Sequence, residues 1–299
     1  MKTLNYLYAF ILILFSFSAF GQDEKPVKRI AITDVQVYGG MLFKNDINGT
    51  LSDFRSLAPQ SYLLNKDFSN FSQEERKGSS GDMGSSIMIG IQFRDKNNST
   101  YRANPFLRLG FNYSAGSTIA GSMRSSSITP YDTLTSSQTG NAIYVDSTES
   151  NSYGMFYSSD QLRFDGSLIF RTNPDARWSV YAGVGVTVGI SLNASARIHY
   201  TKRRDVNMHG YGAGNPSGSH YISPTEFKYE ELRNKTNFSL STYVPLGIDF
   251  RLSNRNKFWS RIHLFYEVKP AVNFVSIPEL YTVTNTSFQH GLGVRVSWN

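Results

Sequence analysis

Residues 178–198 read WSVYAGVGVTVGISLNASARI, and their side chains alternate between two kinds. The even positions, from Trp178 through Val188 to Ile198, are apolar, whereas the odd positions, from Ser179 to Arg197, are polar or small. Because successive side chains of a strand point to opposite faces, this segment predicts one β-strand that separates an apolar environment from a polar one. At about 21 residues, the strand is far longer than the ~5–6 residues usual in soluble proteins.

The same period-two alternation recurs along the chain. In residues 236–253 the apolar face includes Leu246 and Phe250, and in residues 286–298 it ends on Trp298. We predict eight strands, at residues 31–43, 84–94, 99–115, 153–171, 177–199, 236–253, 257–271 and 286–298. No segment has a convincing helical period of 3.6 residues and no linker indicates a second domain, so the expected fold class is all-β.

The connections between these strands alternate in length. The long ones are residues 44–83, 116–152 and 200–235, the short ones are 95–98, 172–176 and 253–256, and the last, 272–285, is moderate. Outer-membrane barrels have an even number of antiparallel strands, short periplasmic turns and long outer loops. The pattern therefore predicts a transmembrane antiparallel up-and-down β-barrel of about eight strands, whose apolar faces meet lipid and whose closed ring leaves no unpaired edge. A soluble periplasmic β-protein is the alternative, with the apolar faces packed inside.

Aromatic residues flank every predicted short turn, in phase with the apolar faces. The pairs are Phe93 with Tyr101, Phe170 with Trp178, and Phe250 with Phe258, and Trp298 lies near the end of the last strand. Amphipathic aromatic rings favour the headgroup level of a bilayer, so we expect these residues to form one interfacial girdle.

The polar faces carry many charged residues. An eight-stranded barrel is only wide enough to be filled by side chains, and buried charges must be paired. We therefore predict an interior network formed by Arg108, Arg163, Asp165, Asp249, Arg261, Glu267 and Arg295. In this network Arg163, Asp165 and Glu267 lie near mid-depth, and Asp249, Arg261 and Arg295 lie lower. A structural plug of ion pairs is the favoured interpretation, and a gated narrow pore or ligand site is the other.

The start of the chain predicts export. Lys2 and the apolar run to Phe20 are typical of a signal peptide that is cleaved after Gly21, which leaves residues 22–299 as one barrel domain.

The chain contains no Cys, which excludes disulfides and thiolate metal sites. The net charge of +7 is spread along the chain without an aromatic-basic cluster, so we expect no nucleic-acid partner.

The final residues, from Gly291 to Trp298, read GLGVRVSW. Together with the signal peptide and eight strands, they resemble the outer-membrane β-barrel proteins of Bacteroidota, akin to OmpA/OmpX-type eight-stranded barrels. The resemblance covers the whole mature chain and implies an outer-membrane location in a Gram-negative envelope, with barrel-assembly machinery reading the last strand. Asn299 follows the terminal aromatic, a departure from that assembly signal. No peptidoglycan-binding domain follows the barrel, and the family has no shared catalytic residues.

Some barrels of this size are lipid-modifying enzymes, and the third long connection contains titratable residues. These are His199, His209, His220, Asp205 and Glu226. Residues 200–204 form a short basic patch that fits lipopolysaccharide phosphates. A solvated loop is the favoured explanation of both features, so we expect no enzyme, no catalytic, metal or cofactor-binding residue, and no cofactor.

The expected role is structural or recognitional at the cell surface, with a filled interior. The long connections contain tyrosines that fit a binding surface, namely Tyr131, Tyr144, Tyr211, Tyr221 and Tyr229. Expected partners are outer-membrane lipid and lipopolysaccharide, the assembly machinery, and a surface ligand or protein that the sequence does not identify. The alternatives are a narrow channel or transport-assisting component, and a surface enzyme acting on lipid.

Overall fold

The computed structural model describes residues 30–74, 79–93, 104–135, 137, 140, 142–173, 176–210 and 218–298. Its strands are β1 (Ile30–Asn45), β2 (Ile47–Asn48), β3 (Ser72–Glu74), β4 (Ser79–Phe93), β5 (Phe106–Ser114), β6 (Ser117–Thr135), β7 (Ala142–Arg171), β8 (Trp178–Gly210), β9 (Gly218–Arg233), β10 (Phe238–Tyr243), β11 (Leu246–Arg251), β12 (Ile262–Ser276) and β13 (Thr282–Ser297). A helix, α1 (Leu51–Leu57), lies between β2 and β3, and a 3₁₀ helix (Trp259–Arg261) precedes β12. Within the described ranges, no helix is long and apolar enough to cross a membrane.

The strands close into a ring of eight. The order around the ring is β1, β4, β5, β7, β8, the β10–β11 pair, β12 and β13, and every pairing within it is antiparallel. The halves β10 and β11 both pair with β8 and β12, and Val244 and Pro245 separate them because proline has no N–H to donate. The prediction of an all-β, antiparallel up-and-down barrel is confirmed.

The wall of the barrel has its apolar side outward. In β8 the side chain of Val184 is 61% exposed and that of Trp178 is 62% exposed, whereas Thr187 and Ser191 face the interior and are buried. A soluble protein buries its apolar face, so this arrangement is that of a transmembrane barrel rather than a soluble sandwich.

Glycines on the inner face make room for aromatic rings from neighbouring strands. A Cβ atom at Gly185 would lie 2.2 Å from Cζ of Tyr243, and one at Gly247 would lie 2.3 Å from Cζ of Tyr181. The strict small-residue pattern on the polar face of β8 is therefore a packing requirement of a narrow barrel.

The long connections are present, but they contain regular structure instead of irregular loops. Within residues 116–152 and 200–235, most of the described residues belong to strands, with β6 pairing along β7 and β9 pairing along β8. Residues 44–83 contain α1, although no helical period was expected there. Below, "loop end" means the end of the barrel with these connections and "turn end" means the opposite end.

The seventh predicted strand, which corresponds to β12, begins later than predicted. It starts at Ile262 instead of residue 257, because side chains of the preceding turn hold the backbone in another shape. The hydroxyl of Ser253 accepts from the N–H of Arg255, and the amide oxygen of Asn256 accepts from the N–H groups of Phe258 and Trp259. Side-chain acceptors of this kind favour turns over strand pairing.

Adding a methyl group to a glycine on the inner face tests how closely the aromatic rings pack against these glycines. We expect Gly247→Ala to destabilise the barrel by about 1–3 kcal/mol, because the ring of Tyr181 must move. Unfolding by urea in detergent micelles would measure the effect. Gly39→Ala is the matched control, since a Cβ there meets no atom within 4 Å. Equal midpoints for the two variants would contradict the close packing of the interior.

Candidate functional site

A fully buried ion pair crosses the middle of the barrel. Nη1 of Arg108 on β5 lies 2.6 Å from Oε2 of Glu267 on β12, and both side chains are at most 2% exposed. These strands lie four places apart in the ring of eight, on opposite walls. Nζ of Lys269 lies 3.1 Å from Oε1 of Glu267, and Nε of Arg108 donates to Ser167 at 3.0 Å. The carboxylate of Glu267 therefore contacts one cation from the opposite wall and one from its own strand.

The other predicted mid-depth residues have different partners from those expected. Nε of Arg163 donates to Oγ of Ser239 at 3.2 Å, across from β7 to β10. Asp165 accepts a hydrogen bond from the hydroxyl of Tyr243. Sequence reasoning grouped both with Glu267, but pairing across a barrel depends on how the strands are staggered, which the alternation within one strand does not show.

A second cluster lies near the turn end. Oδ1 of Asp249 is 2.6 Å from Nδ1 of His263 and 3.0 Å from Nη2 of Arg295. The alternation placed Arg261 in this cluster, and the structure places it on the exposed 3₁₀ helix instead. His263 occupies the inward position next to Asp249, because the late start of β12 leaves residue 261 outside the barrel wall.

The turn-end cluster resembles a hydrolase triad in composition, since Nε2 of His263 lies 3.5 Å from Oγ of Ser297. However, Nη2 of Arg295 lies 2.7 Å from Nδ1 of His263, and a guanidinium can only donate. Oδ1 of Asp249 lies 2.6 Å from the same ring nitrogen, so the carboxylate and the guanidinium converge on Nδ1. The cluster thus pairs one buried carboxylate with a guanidinium and an imidazole.

A polar space remains between the walls in the middle of the barrel. A cavity of about 30 Å³ lies between the walls, on the loop-end side of the Arg108–Glu267 pair. A volume of this size holds one or two water molecules. The described interior is therefore filled mainly by side chains, and ion pairs and hydrogen bonds connect its walls.

The predicted aromatic girdle has a counterpart at the turn end. Phe93, Phe170, Trp178, Phe258 and Trp298 are exposed there, Phe250 is half-buried with its ring centroid 4.4 Å from that of Trp178, and Tyr101 lies outside the described residues. Phe258 belongs to the turn rather than to a strand. Trp259, which sequence reasoning missed, is also exposed.

A second set of exposed rings lies toward the loop end, and sequence reasoning missed it as well. Phe43, Tyr113, Phe238 and Phe288 are exposed on the wall, and the ring of His290 stacks on Phe43 with centroids 5.7 Å apart. These residues occupy apolar-face positions near the other ends of the strands. They lie within the predicted strands, in phase with the apolar faces, so the alternation contains the signal for them.

Beyond the barrel, β6, β7, β8 and β9 continue as a four-stranded sheet. A bulge at Leu192 shifts the register of β8, since Asp160 pairs with Asn193 and Gln161 pairs with Ser191. The shift turns Ala194, Ala196 and Ile198 to the inner side. The prediction that Ala194, Ala196 and Ile198 belong to the lipid-facing side of this strand is therefore wrong.

The inner side of this sheet carries an apolar core that covers the loop end of the barrel. Residues of α1 and the chain after it pack on side chains of β6, β7 and β8. The core includes Phe54, Leu57, Leu63, Leu64, Ile119, Met155, Tyr157, Ala196 and Ile198. We call residues 50–71 together with these sheet side chains the cap.

Hydrogen bonds hold the cap in place. Thr50 and Asp53 form a capping box at the start of α1. The carboxylate of Glu230 on β9 accepts from the hydroxyl of Ser61 and from the N–H of Tyr62, the latter at 3.1 Å. Because the cap is tied to an edge strand and has its own core, it is a folded unit rather than a loose loop.

The outer side of the same sheet carries aromatic residues around a histidine. The ring of His199 lies 5.8 Å from that of Phe156 and 5.0 Å from that of Tyr229. Burial and the neighbouring Arg197 cation lower the pKa of His199. Phe227 and Tyr229 are exposed. We call this group the aromatic face.

The other residues considered for chemistry are dispersed or engaged. Nζ of Lys202 lies 2.8 Å from Glu149, and Nε of Arg204 donates to Ser147 at 2.8 Å, so the basic patch is largely used by contacts within the sheet. The side chains of His209 and His220 lie outside the described part of the structure. In the described residues, no group of three His, Asp or Glu side chains is placed to hold a metal ion.

The fold and its filled interior define a class: a small, antiparallel transmembrane β-barrel with a folded cap at its loop end. A scan against protein-family models and a search of curated proteins find no match. Among solved structures, Neisserial surface protein A is similar at 12% identity and a TM-score of 0.31, over 91% of this chain and 100% of that one. Ail of Yersinia pestis is similar at 9% identity and a TM-score of 0.22, over 89% and 99% of the two chains. Such low TM-scores carry no argument about function, and the fold assignment depends on the strand pairing.

Removing the charge at the centre of the barrel tests the ion pair. We expect Glu267→Gln to lower the free energy of unfolding by about 3–5 kcal/mol, because Arg108 and Lys269 lose their shared carboxylate in a buried site. Glu74→Gln is the matched control, since Glu74 and Arg124 form an exposed pair at 3.8 Å. We expect that change to cost less than about 0.5 kcal/mol. Urea titration in micelles would measure both, and a similar small effect at residue 267 would count against a structural role for the pair.

Proposed function

We propose that this chain is a non-conducting outer-membrane barrel that holds a folded sheet and cap at the cell surface, where they serve a structural or recognition role. The observation that carries the proposal is the continuation of β7 and β8 beyond the barrel. Their pairing runs from Arg171 and Tyr181 in the wall to Ile143 and Gly210 in the extended sheet. One pair of strands thus joins the membrane-spanning wall to the external platform.

The outer-membrane location is supported by the exterior of the barrel. Exposed apolar side chains cover the wall, and aromatic rings lie near both of its ends, as the two interfaces of a bilayer require. The last strand closes the ring by pairing with β1, and the indole of Trp298 donates to the carbonyl of Ile32 at 3.0 Å. This contact makes the final aromatic residue part of the barrel, in keeping with assembly machinery as a partner.

The absence of conduction is supported by the interior. The Arg108–Glu267 pair bridges opposite walls, the cavity beside it is about 30 Å³, and the cap covers the loop end. A channel needs a continuous polar path, whereas here an ion pair joins opposite walls.

A recognition role is supported by the aromatic face. Exposed aromatic residues next to arginine are typical of binding surfaces, since they offer a large contact area at low cost in conformational entropy. Phe227, Tyr229 and Arg197 lie together on a sheet that the cap packs against from behind. We propose a surface ligand or outer-leaflet glycolipid as the partner, and no enzymatic activity, because His199 is surrounded by rings rather than by a carboxylate and a nucleophile.

The chain has no native cysteine, which allows a direct test of location and orientation. In intact cells, we expect a membrane-impermeant maleimide to label Tyr62→Cys in the cap but not Asn254→Cys at the turn end. After the envelope is opened, both variants should be labelled. The purified protein should add no steady conductance steps to planar bilayers.

Either of two results would contradict the proposal. Labelling of Asn254→Cys in intact cells would reverse the orientation. Regular conductance steps would favour the channel interpretation instead.

A further inference from the structure

The small cavity in the barrel lies in the loop-end half of the interior and is lined mostly by polar groups. Its lining includes Asn112 on β5, Thr187 on β8, Ser241 on β10, and Lys269 and Asn273 on β12. A polar cavity deep in a membrane barrel needs partners for its hydrogen-bonding groups, because unpaired polar groups are costly there.

Arg163 lines this cavity and is the least satisfied cation near it. Its side chain is about nine-tenths buried or more, at 8% exposure. Its described hydrogen bond is the one from Nε to Ser239, although a guanidinium has five N–H donors. The nearby carboxylate of Asp165 accepts a hydrogen bond from the hydroxyl of Tyr243. Among the described residues, its oxygens do not come within 4.0 Å of the guanidinium nitrogens of Arg163.

Further donors in the lining also lack a protein partner. Buried atoms without a hydrogen-bonding partner in the described structure include Oγ of Ser241, Oγ1 of Thr187 and Nε2 of Gln289. All three belong to residues that line the cavity. Two are hydroxyls that can donate, and one is an amide NH₂ group.

The charges around the cavity do not balance. Arg163 and Lys269 contribute two positive charges and Asp165 contributes one negative charge, so the lining has a net charge of +1. Including the Arg108–Glu267 pair adds one charge of each sign and leaves the sum unchanged. Lys44, further toward the loop end, lies 4.0 Å from Asp82, and Asp46 and Asp160 are also near it.

We propose that the cavity binds one small monovalent anion, of the size of chloride, against Arg163 and the donors of Ser241, Thr187 and Gln289. The volume of about 30 Å³ holds one or two water molecules, which suits a halide. A single negative charge cancels the excess of +1 and gives the unpaired donors an acceptor. The anion would then be an internal structural part that helps to fill the barrel, whatever the surface role.

Crystals of the purified protein grown in bromide test this directly. We expect one anomalous peak in the cavity, between Arg163 and Gln289. A cavity that holds water only, with no anomalous peak, would overturn the proposal even if every variant below failed to fold.

A stability measurement in micelles supplies the second readout. At equal ionic strength, we expect the wild-type unfolding temperature to be about 3 °C or more higher in sodium chloride than in sodium gluconate, whose anion is too large for the cavity. Arg163→Gln should abolish this shift. Arg171→Gln is the matched control, because Arg171 is a cation near the turn end that lies over the ring of Phe106 and does not line the cavity. A shift that persists in Arg163→Gln, or is absent from the wild type, would overturn the proposal.

Discussion

The pairing of every backbone N–H and C=O group around a closed ring is the constraint on which this structure depends. Hydrocarbon offers no hydrogen-bonding partner, so a sheet that crosses it cannot have an open edge. Closure between β13 and β1 and between β7 and β8 meets this requirement. Once eight strands have closed, the interior is narrow, and inward positions alternate between glycine and large side chains such as Tyr181 and Tyr243.

The same strands pass from a lipid environment into water, and the chemistry of their faces changes where they do so. On β7 the inward side carries Arg163 and Asp165 within the barrel, but Met155 and Tyr157 beyond it. Within the membrane, the polar side must be inside because lipid covers the outside. Beyond the membrane, water covers the outside, so the apolar side is buried under α1. The bulge at Leu192 keeps β8 in phase with this change.

The barrel could be predicted from the sequence because period-two alternation is a local property. The run from Trp178 to Leu192 shows a strand, its two faces and its length without knowledge of its neighbours. Three features depend on information that a single strand does not contain. The pair of Arg108 with Glu267 depends on the stagger between opposite walls, the exclusion of Arg261 depends on hydrogen bonds in the turn, and the cap depends on short apolar segments meeting in three dimensions. The residues of the core beneath the cap are spread along the chain from Phe54 to Val283.

The claim that the apolar wall faces hydrocarbon can be measured most directly with spin labels at single cysteines along β8, in lipid vesicles. The account predicts high accessibility to oxygen at the even positions from Val180 to Ile190 and low accessibility at the odd positions, with the phase reversed beyond Leu192. Accessibility of the even positions to a water-soluble nickel complex, as on a protein surface in water, would contradict it.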